Sequence, residues 1–181
     1  MTTAESRVLD EYLVVCARTG DRRAFEQLAR RWNRRLVAHA WRLTGDPEAA
    51  RDAAQSAWIE IARGIGRLED ERAFPAWAYR IVSRRCARLV RGLQRDRALS
   101  RDLAAQPAPD PEPDYDGPEH AALARAIRGL PPGQRAAIAL HHFEDMSIAE
   151  TAVALDVPAG TVKTRLMHAR RSLRAVLEGD V

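Results

Sequence analysis

Residues 146–174 read MSIAETAVALDVPAGTVKTRLMHARRSLR. Ser147 followed three residues on by Glu150 is a capping box and opens a helix. Ile148, Ala152 and Leu155 fall on one face of that helix. Asp156-Val157-Pro158 then breaks it, because Pro158 cannot continue a helix and disfavours helical geometry at Val157. A second helix restarts near residues 158–161 and carries Val162 and Leu166 inward. The pattern predicts helix, sharp turn, helix. Ala152 is small where the two helices cross. Asp156 stands at the turn, where it tolerates a left-handed backbone better than most residues. Val162 is the β-branched core residue of the second helix.

That second helix shows Thr161, Lys163, Thr164, Arg165 and His168 first, then Arg170, Arg171 and Arg174. Polar residues at the start that reach base edges, flanked by cations that hold phosphates, suit a DNA recognition helix. A plain helical hairpin with a solvated basic face has the same local pattern, so the rest of the chain has to distinguish them.

At 181 residues the chain is one domain or two small ones. Its basic residues are 28 Arg and a single Lys, Lys163. Arginine favours bidentate phosphate and base contacts. Cys16 and Cys86 form neither a disulfide framework nor a metal spacing, which points to a reduced interior. No apolar run approaches a membrane span, and the start MTTAESRVLDEY does not read as a signal peptide, so the chain is expected to be soluble, cytoplasmic and not inserted in a membrane. Charge is placed unevenly. Residues 1–101 carry net +8, residues 102–119 net −6 and residues 120–181 net +2. Two basic blocks joined by an acidic strip suggest two nucleic-acid-facing units and a segment that avoids DNA.

Taken in order, Glu5 to Thr19 predicts a first helix with Val8, Leu9, Tyr12, Leu13 and Cys16 on its apolar side. Asp21 caps a second, in which Phe25, Leu28, Trp32, Leu36, Ala40 and Leu43 recur at helical steps, and Gly45 stops it. Asp46-Pro47 opens a third, about 46–63, setting Ala50, Ala53, Ala57, Ile61 and Ile65 inward and leaving Asp52, Gln55 and Trp58 on or near another face. After a link from Gly64 to Arg72, a fourth helix runs from Phe74 to about Arg97. Phe74, Trp77, Ala78, Ile81 and Val82 make its core side. Arg80, Arg84, Arg88, Arg91 and Arg95 form one stripe of like charge, which a polyanion would relieve. Trp77 and Tyr79 beside it are candidates to stack on unpaired bases, although Trp77 has core spacing.

Residues 98–118 hold five of the ten prolines and read as an extended acidic linker. About 18 of its residues, fully extended, reach on the order of 60 Å, which lets the two units engage well-separated DNA sites. Beyond it, Leu123, Ile127 and Leu130 line one helix, and Gln134 to Phe143 predicts another. The fold class is all-α: two small helical domains, 1–97 and 119–181, joined by the 98–118 linker.

His141, His142, Glu144 and Asp145 look like metal ligands, yet adjacent histidines on a helix point apart and do not chelate together. No metal site, cofactor site or catalytic residue is expected: there is no Gly-rich phosphate loop, nucleophile elbow or paired carboxylate. Asp52 and Gln55, one turn apart, suit a partner interface better than catalysis.

The stretches AFEQL (24–28), RLTGDPEAARDAAQSAWIEI (42–61), FPAWAYRIVSRRCARLVRG (74–92), LPPGQRAAIALHHFEDMSIAETA (130–152) and VPAGTVKTRLMHARRSLR (157–174) together resemble the extracytoplasmic-function class of bacterial sigma-70 factors. The resemblance spans most of the chain apart from the linker. It implies that the N-terminal unit is sigma region 2 and the C-terminal unit region 4. It implies partners: core RNA polymerase, through its β′ clamp helices and β flap, promoter DNA, and an anti-sigma protein. Asp52 and Gln55, with Trp58 beside them, match the core-binding helix. Arg67, Arg72, Trp77, Tyr79, Arg80, Arg84, Arg85 and Arg88 fall in the part that reads and opens the minus-ten element. Thr161, Lys163, Thr164, Arg165, His168, Arg170 and Arg171 would read the minus-thirty-five element. After FxxWxYRI many relatives continue with Asn and then Asp, whereas this chain has Ser83, Arg84, Arg85, Cys86, Ala87 and Arg88. The implied activity is promoter-directed initiation, with the linker expected to pack over basic surfaces as a brake. An operator-binding regulator would need a symmetric dimer, and a nuclease would need a metal or acid–base cluster; the sequence offers neither.

Overall fold

The computed structural model describes residues 3–99 and 118–177, and every regular element in them is a helix. The helices are α1 (Thr3–Arg18), α2 (Arg22–Thr44), α3 (Pro47–Gly64), α4 (Phe74–Leu99), α5 (Pro118–Gly129), α6 (Pro132–Ile138), α7 (Ile148–Leu155) and α8 (Ala159–Leu177). Two 3-10 turns, Ile65–Arg67 and Glu71–Ala73, join α3 to α4, and a π turn, Ala139–Phe143, follows α6. The expected linker falls almost wholly on residues 100–117, outside the described residues, as does its proposed braking role.

Local chemistry sets the helix ends. Asp21 accepts from the amides of Arg23 at 2.8 Å and Ala24 at 3.1 Å to start α2. Gly45, at φ 72°, ends it in the left-handed conformation, its amide donating to the Trp41 carbonyl at 2.8 Å. Asp46 then caps α3 through the Ala49 amide at 2.7 Å, with Pro47 in the first turn. Buried Ala50, Ala53 and Ala57 let α2 and α3 approach closely, and Leu28, Leu36, Ile61, Phe74 and Val82 fill the space between them and α4. Trp32 meets Phe74 edge-on, with ring centroids 5.2 Å apart.

Two expectations are corrected. Val8 and Tyr12 do not face the core; they are 66% and 62% exposed, and Val14 and Ala17 are buried in their place, beside the expected Leu13. Arg31 fixes the rotation of α1 by reaching Asp10 at 2.6 Å and the Ser6 hydroxyl at 2.9 Å, which turns that side toward α2. Nor does a regular helix run through to Phe143. The chain opens into the π turn after Ile138, and Ala137, Ile138, Ala139 and Leu140 are all buried. A single α-helical stripe cannot bury four consecutive residues against one neighbour. Here there are two neighbours: Ala137 and Ile138 belong to the C-terminal core with Ile127, Val162, Leu166 and Ala169, whereas Ala136 and Leu140 join the N-terminal core.

The two units therefore pack together rather than standing apart. Helix α7 lies against α4 and the α6–π segment lies against α2. Ile148, Ala152 and Leu155 do pack on the C-terminal core, but only partly buried. The residues of α7 that are buried outright are Thr151 and Ala154, and Ala154 belongs to the N-terminal core. Apolar on nearly all sides, α7 fills the seam between the units.

Candidate nucleic-acid and partner interface

The helix-turn-helix has a tightly specified turn. Ser147 and Glu150 form the capping box, with the Glu150 amide donating to Ser147 Oγ at 3.2 Å and the Ser147 amide donating to Glu150 Oε2 at 2.8 Å. The Ser147 hydroxyl on that carboxylate is the main reason Glu150 titrates below its ordinary range. Asp156 adopts φ 55°, ψ 48°; the Val157 amide reaches back to Ala152 O at 3.1 Å and the Asp156 amide to Val153 O at 3.3 Å. This is a Schellman closure made with Asp in place of Gly.

On α8, Val162, Leu166 and Ala169 are buried, which leaves Lys163, Thr164, His168, Arg170, Arg171 and Arg174 exposed and Thr161 half-buried. The Thr164 hydroxyl donates to Gly160 O at 3.0 Å. Arg165 departs from the expected open face. It is half-buried over α6, where a Cβ on Gly133 would meet its guanidinium carbon at 3.1 Å. Arg170 donates to His142 Nε2 at 3.3 Å, and burial, with the nearby His141 and Arg170 charges, keeps His142 below its ordinary pKa. His141 is committed as well, with Nδ1 donating to the Met146 carbonyl at 2.7 Å.

The candidates on the link and on α4 differ in their surroundings. Arg67 and Arg72 are exposed on the link, and Arg84 and Arg88 are exposed with no ion pair among the described residues. Arg80 is not an unpaired member of the expected like-charge stripe, because it holds Asp156 at 2.9 Å; Arg85, outside that stripe, holds Glu60 at 2.6 Å. Trp77 is half-buried beneath Gly64, where an added Cβ would come within 2.9 Å of its Cζ2. Tyr79 requires a correction: it is 0% exposed, so no base can stack on it in this arrangement. The Arg95 side chain lies outside the described residues.

On α3, Asp52 and Gln55 are exposed. Trp58 is half-buried, edge-on to Phe25 with centroids 5.9 Å apart, and donates from Nε1 to Asn33 Oδ1 at 3.1 Å. The same face carries Ile59, 50% exposed, one turn beyond Gln55. Ile59 was missed, although it lies out of phase with the inward residues Ala50, Ala53, Ala57 and Ile61. A large apolar residue there is consistent with a docking face.

Glu144 was also missed in this role. It follows the π turn and its side chain is only 5% exposed, yet it is surrounded by groups of the N-terminal unit. The Tyr79 hydroxyl donates to it, Arg42 Nη1 lies at 3.0 Å and Arg35 Nε at 3.4 Å. Arg35 stacks over Trp32 and Arg42 over Phe143, each 4.4 Å from the ring centroid. Burial, and next the Glu144 charge, push the Tyr79 hydroxyl well above its ordinary pKa, so it stays a donor. Beneath it, fully buried His39 has Nε2 2.9 Å from Ser83 Oγ, and burial lowers its pKa to about 3. Among the described residues no three His, Cys, Asp or Glu side chains converge as a metal site, and no helix is long and apolar enough to cross a membrane.

Comparison with known proteins adds the family context. The sigma-70 region 2 family matches residues 28–96 and the sigma-70 region 4 family matches residues 120–173. The ECF RNA polymerase sigma factor SigM of Mycobacterium tuberculosis (strain H37Rv) is 36% identical over 93% of this chain and 84% of that protein. The RNA polymerase sigma-H factor of Pseudomonas aeruginosa is 30% identical over 93% of this chain and 94% of its own length. Among solved structures, CnrH in complex with the cytosolic domain of CnrY superposes with a TM-score of 0.71 at 26% identity, covering 96% of this chain and 99% of that one. The sigma factor RpoE of Bartonella quintana, solved with the anti-sigma factor NepR, shares the fold with a TM-score of 0.75 at 22% identity, over 87% of this chain and 98% of that one.

Proposed function

The chain belongs to the extracytoplasmic-function class of sigma-70 factors, and on that premise we propose how its two units divide the work of starting transcription. As a sigma factor it directs core RNA polymerase to promoters. It acts as a specificity subunit and supplies no catalytic group of its own, in the cytoplasm where polymerase and chromosome meet. Asp52, Gln55 and Ile59 form the docking face for the polymerase clamp. The exposed start of α8 reads the minus-thirty-five element, with Lys163, Arg170 and Arg171 supplying phosphate contacts and Thr161 and His168 nearest the bases. Each good bidentate base contact contributes roughly 1–3 kcal/mol of discrimination. Residues 1–97 act as region 2 and residues 119–181 as region 4.

Melting follows from differential affinity. Arg67, Arg72, Arg84 and Arg88, each exposed, supply cationic contacts with half-buried Trp77 as the aromatic candidate, and a strand held by them unpaired binds better than duplex. That difference shifts the duplex toward the open form without nucleotide hydrolysis. The observation that supports this reading best is the exposed basic face of α8, set at a fixed angle by the left-handed Asp156 turn. An anti-sigma protein is the expected antagonist, by analogy with the solved relative held by one.

Permanganate footprinting on holoenzyme tests the melting step. Thymines of the minus-ten element should become reactive only when core and this chain are both present, and should lose most of that reactivity in Arg84→Ala/Arg88→Ala. Reactivity unchanged in that variant would contradict the assignment.

A further inference from the structure

Glu144 is a carboxylate with almost no access to water, and its three polar partners lie 65, 102 and 109 residues away in sequence, all on the other unit. Buried carboxylates are retained where charged partners and hydrogen bonds replace water. The cleft does this with two guanidiniums, each stacked on an aromatic ring, and a hydroxyl held as a donor. The remaining contacts of the seam are built for parting. Arg80 meets Asp156 at its rim, and Arg7 approaches Glu150 at 3.8 Å. Ala136, Thr151 and Ala154 are small, and Leu140, Met146 and the partly buried Leu155 are its large apolar members. Charged groups regain water when separated, so such a seam opens at less cost than one sealed by large apolar side chains.

We propose that the Arg35–Arg42–Tyr79 cleft is a carboxylate-binding site whose occupant is this chain's own Glu144, and that this docking holds the sigma factor closed. The inference rests on the promoter reading above for its consequence. Elements at minus ten and minus thirty-five are separated by about 25 base pairs, roughly 85 Å of B-DNA. Units in direct contact do not bridge that distance. The closed form also covers Tyr79 and ties Arg80 to the turn of the DNA-reading motif. Opening is therefore required for both units to engage one promoter, and Glu144 sets the closed-to-open ratio.

Double electron–electron resonance on the full chain tests this directly. Spin labels at Gln27→Cys and Ser172→Cys, both exposed, report the separation in a Cys16→Ser background, since Cys86 is buried. Wild type should give one short distance. Glu144→Gln should raise the long-to-short ratio at least about tenfold, as expected for losing hydrogen bonds to a charged group. Asp156→Asn should raise it roughly two- to fivefold, as for an exposed ion pair. Identical distributions in all three chains, with helical circular dichroism intact, would overturn the proposal. If Glu144→Gln loses its helical signal, Asp156→Asn decides alone: a shifted distribution supports the docking and an unchanged one overturns it. Run-off transcription separates the two readings. Lower half-saturation by Glu144→Gln supports the coupling to promoters. Shifted distances with no promoter-dependent start from any chain would leave the docking standing and remove its proposed consequence.

Discussion

Arg80 on α4 holds Asp156, the left-handed turn residue of the helix-turn-helix, at 2.9 Å. One residue thus serves the local turn and the contact between units, and substitutions separate the two roles. Asp156→Asn keeps a side chain that tolerates positive φ and should cost no more than about 1 kcal/mol, because the pair is exposed. Asp156→Val should cost about 1–2 kcal/mol more, the penalty of forcing a β-branched residue into that region. Urea denaturation of the two variants measures the difference; equal midpoints would contradict the assigned turn geometry.

The buried pair of His39 and Ser83 makes a prediction about acid. Burial holds His39 at about 3, below its unfolded value near 6.5, so the unfolded chain takes up the proton first as pH falls. Its effect is absent above about pH 7 and stability is lost as pH drops from about 6.5 toward 3, reaching roughly 2 kcal/mol by pH 5. Urea unfolding of wild type and His39→Leu at pH 7 and pH 5 checks this. The loss between the two pH values should shrink by about that amount in the variant, and an equal loss in both would show that His39 is not the group responsible.

Exposed Ile59 extends the expected polymerase-binding face by one turn beyond Asp52 and Gln55. Ile59→Arg should leave thermal stability within about 0.5 kcal/mol of wild type, as surface substitutions usually do, while weakening core binding at least tenfold. Fluorescence anisotropy of labelled chain titrated with core reads both wild type and variant. Unchanged affinity would remove Ile59 from the interface.

Arg171 is exposed on α8 and is assigned to phosphate. Arg171→Ala should weaken binding of holoenzyme to promoters of different sequence by a similar factor. It should also reduce the slope of log affinity against log salt by about 0.9. A loss confined to one promoter sequence would instead indicate that Arg171 reads a base.

Much of this architecture was legible in the sequence because caps and periodicity act locally. Asp21, Gly45, Asp46 and Ser147 each mark a helix end through contacts within a few residues, and the alanines of α3 follow a single stripe. What was not legible depends on contacts between distant segments. Nothing near Val8 and Tyr12 reveals that Arg31 rotates α1 toward Val14. Tyr79 sits beside arginines in sequence, but its ring packs against Trp32 and His39 and its hydroxyl donates to a glutamate 65 residues on. In the sequence Glu144 stands out only beside His141, His142 and Asp145, as an apparent metal ligand that helix geometry argues against. Its partners lie on α2 and α4, and no spacing rule joins them.

Promoter-directed initiation is tested most directly by transcription with purified core polymerase on sheared chromosomal DNA from the host, with the 5′ ends of the products sequenced. Wild-type chain should produce a discrete set of 5′ ends absent from core alone, and Asp52→Ala/Gln55→Ala should abolish that set. The same ends from core alone, or an unchanged set from the double variant, would contradict it.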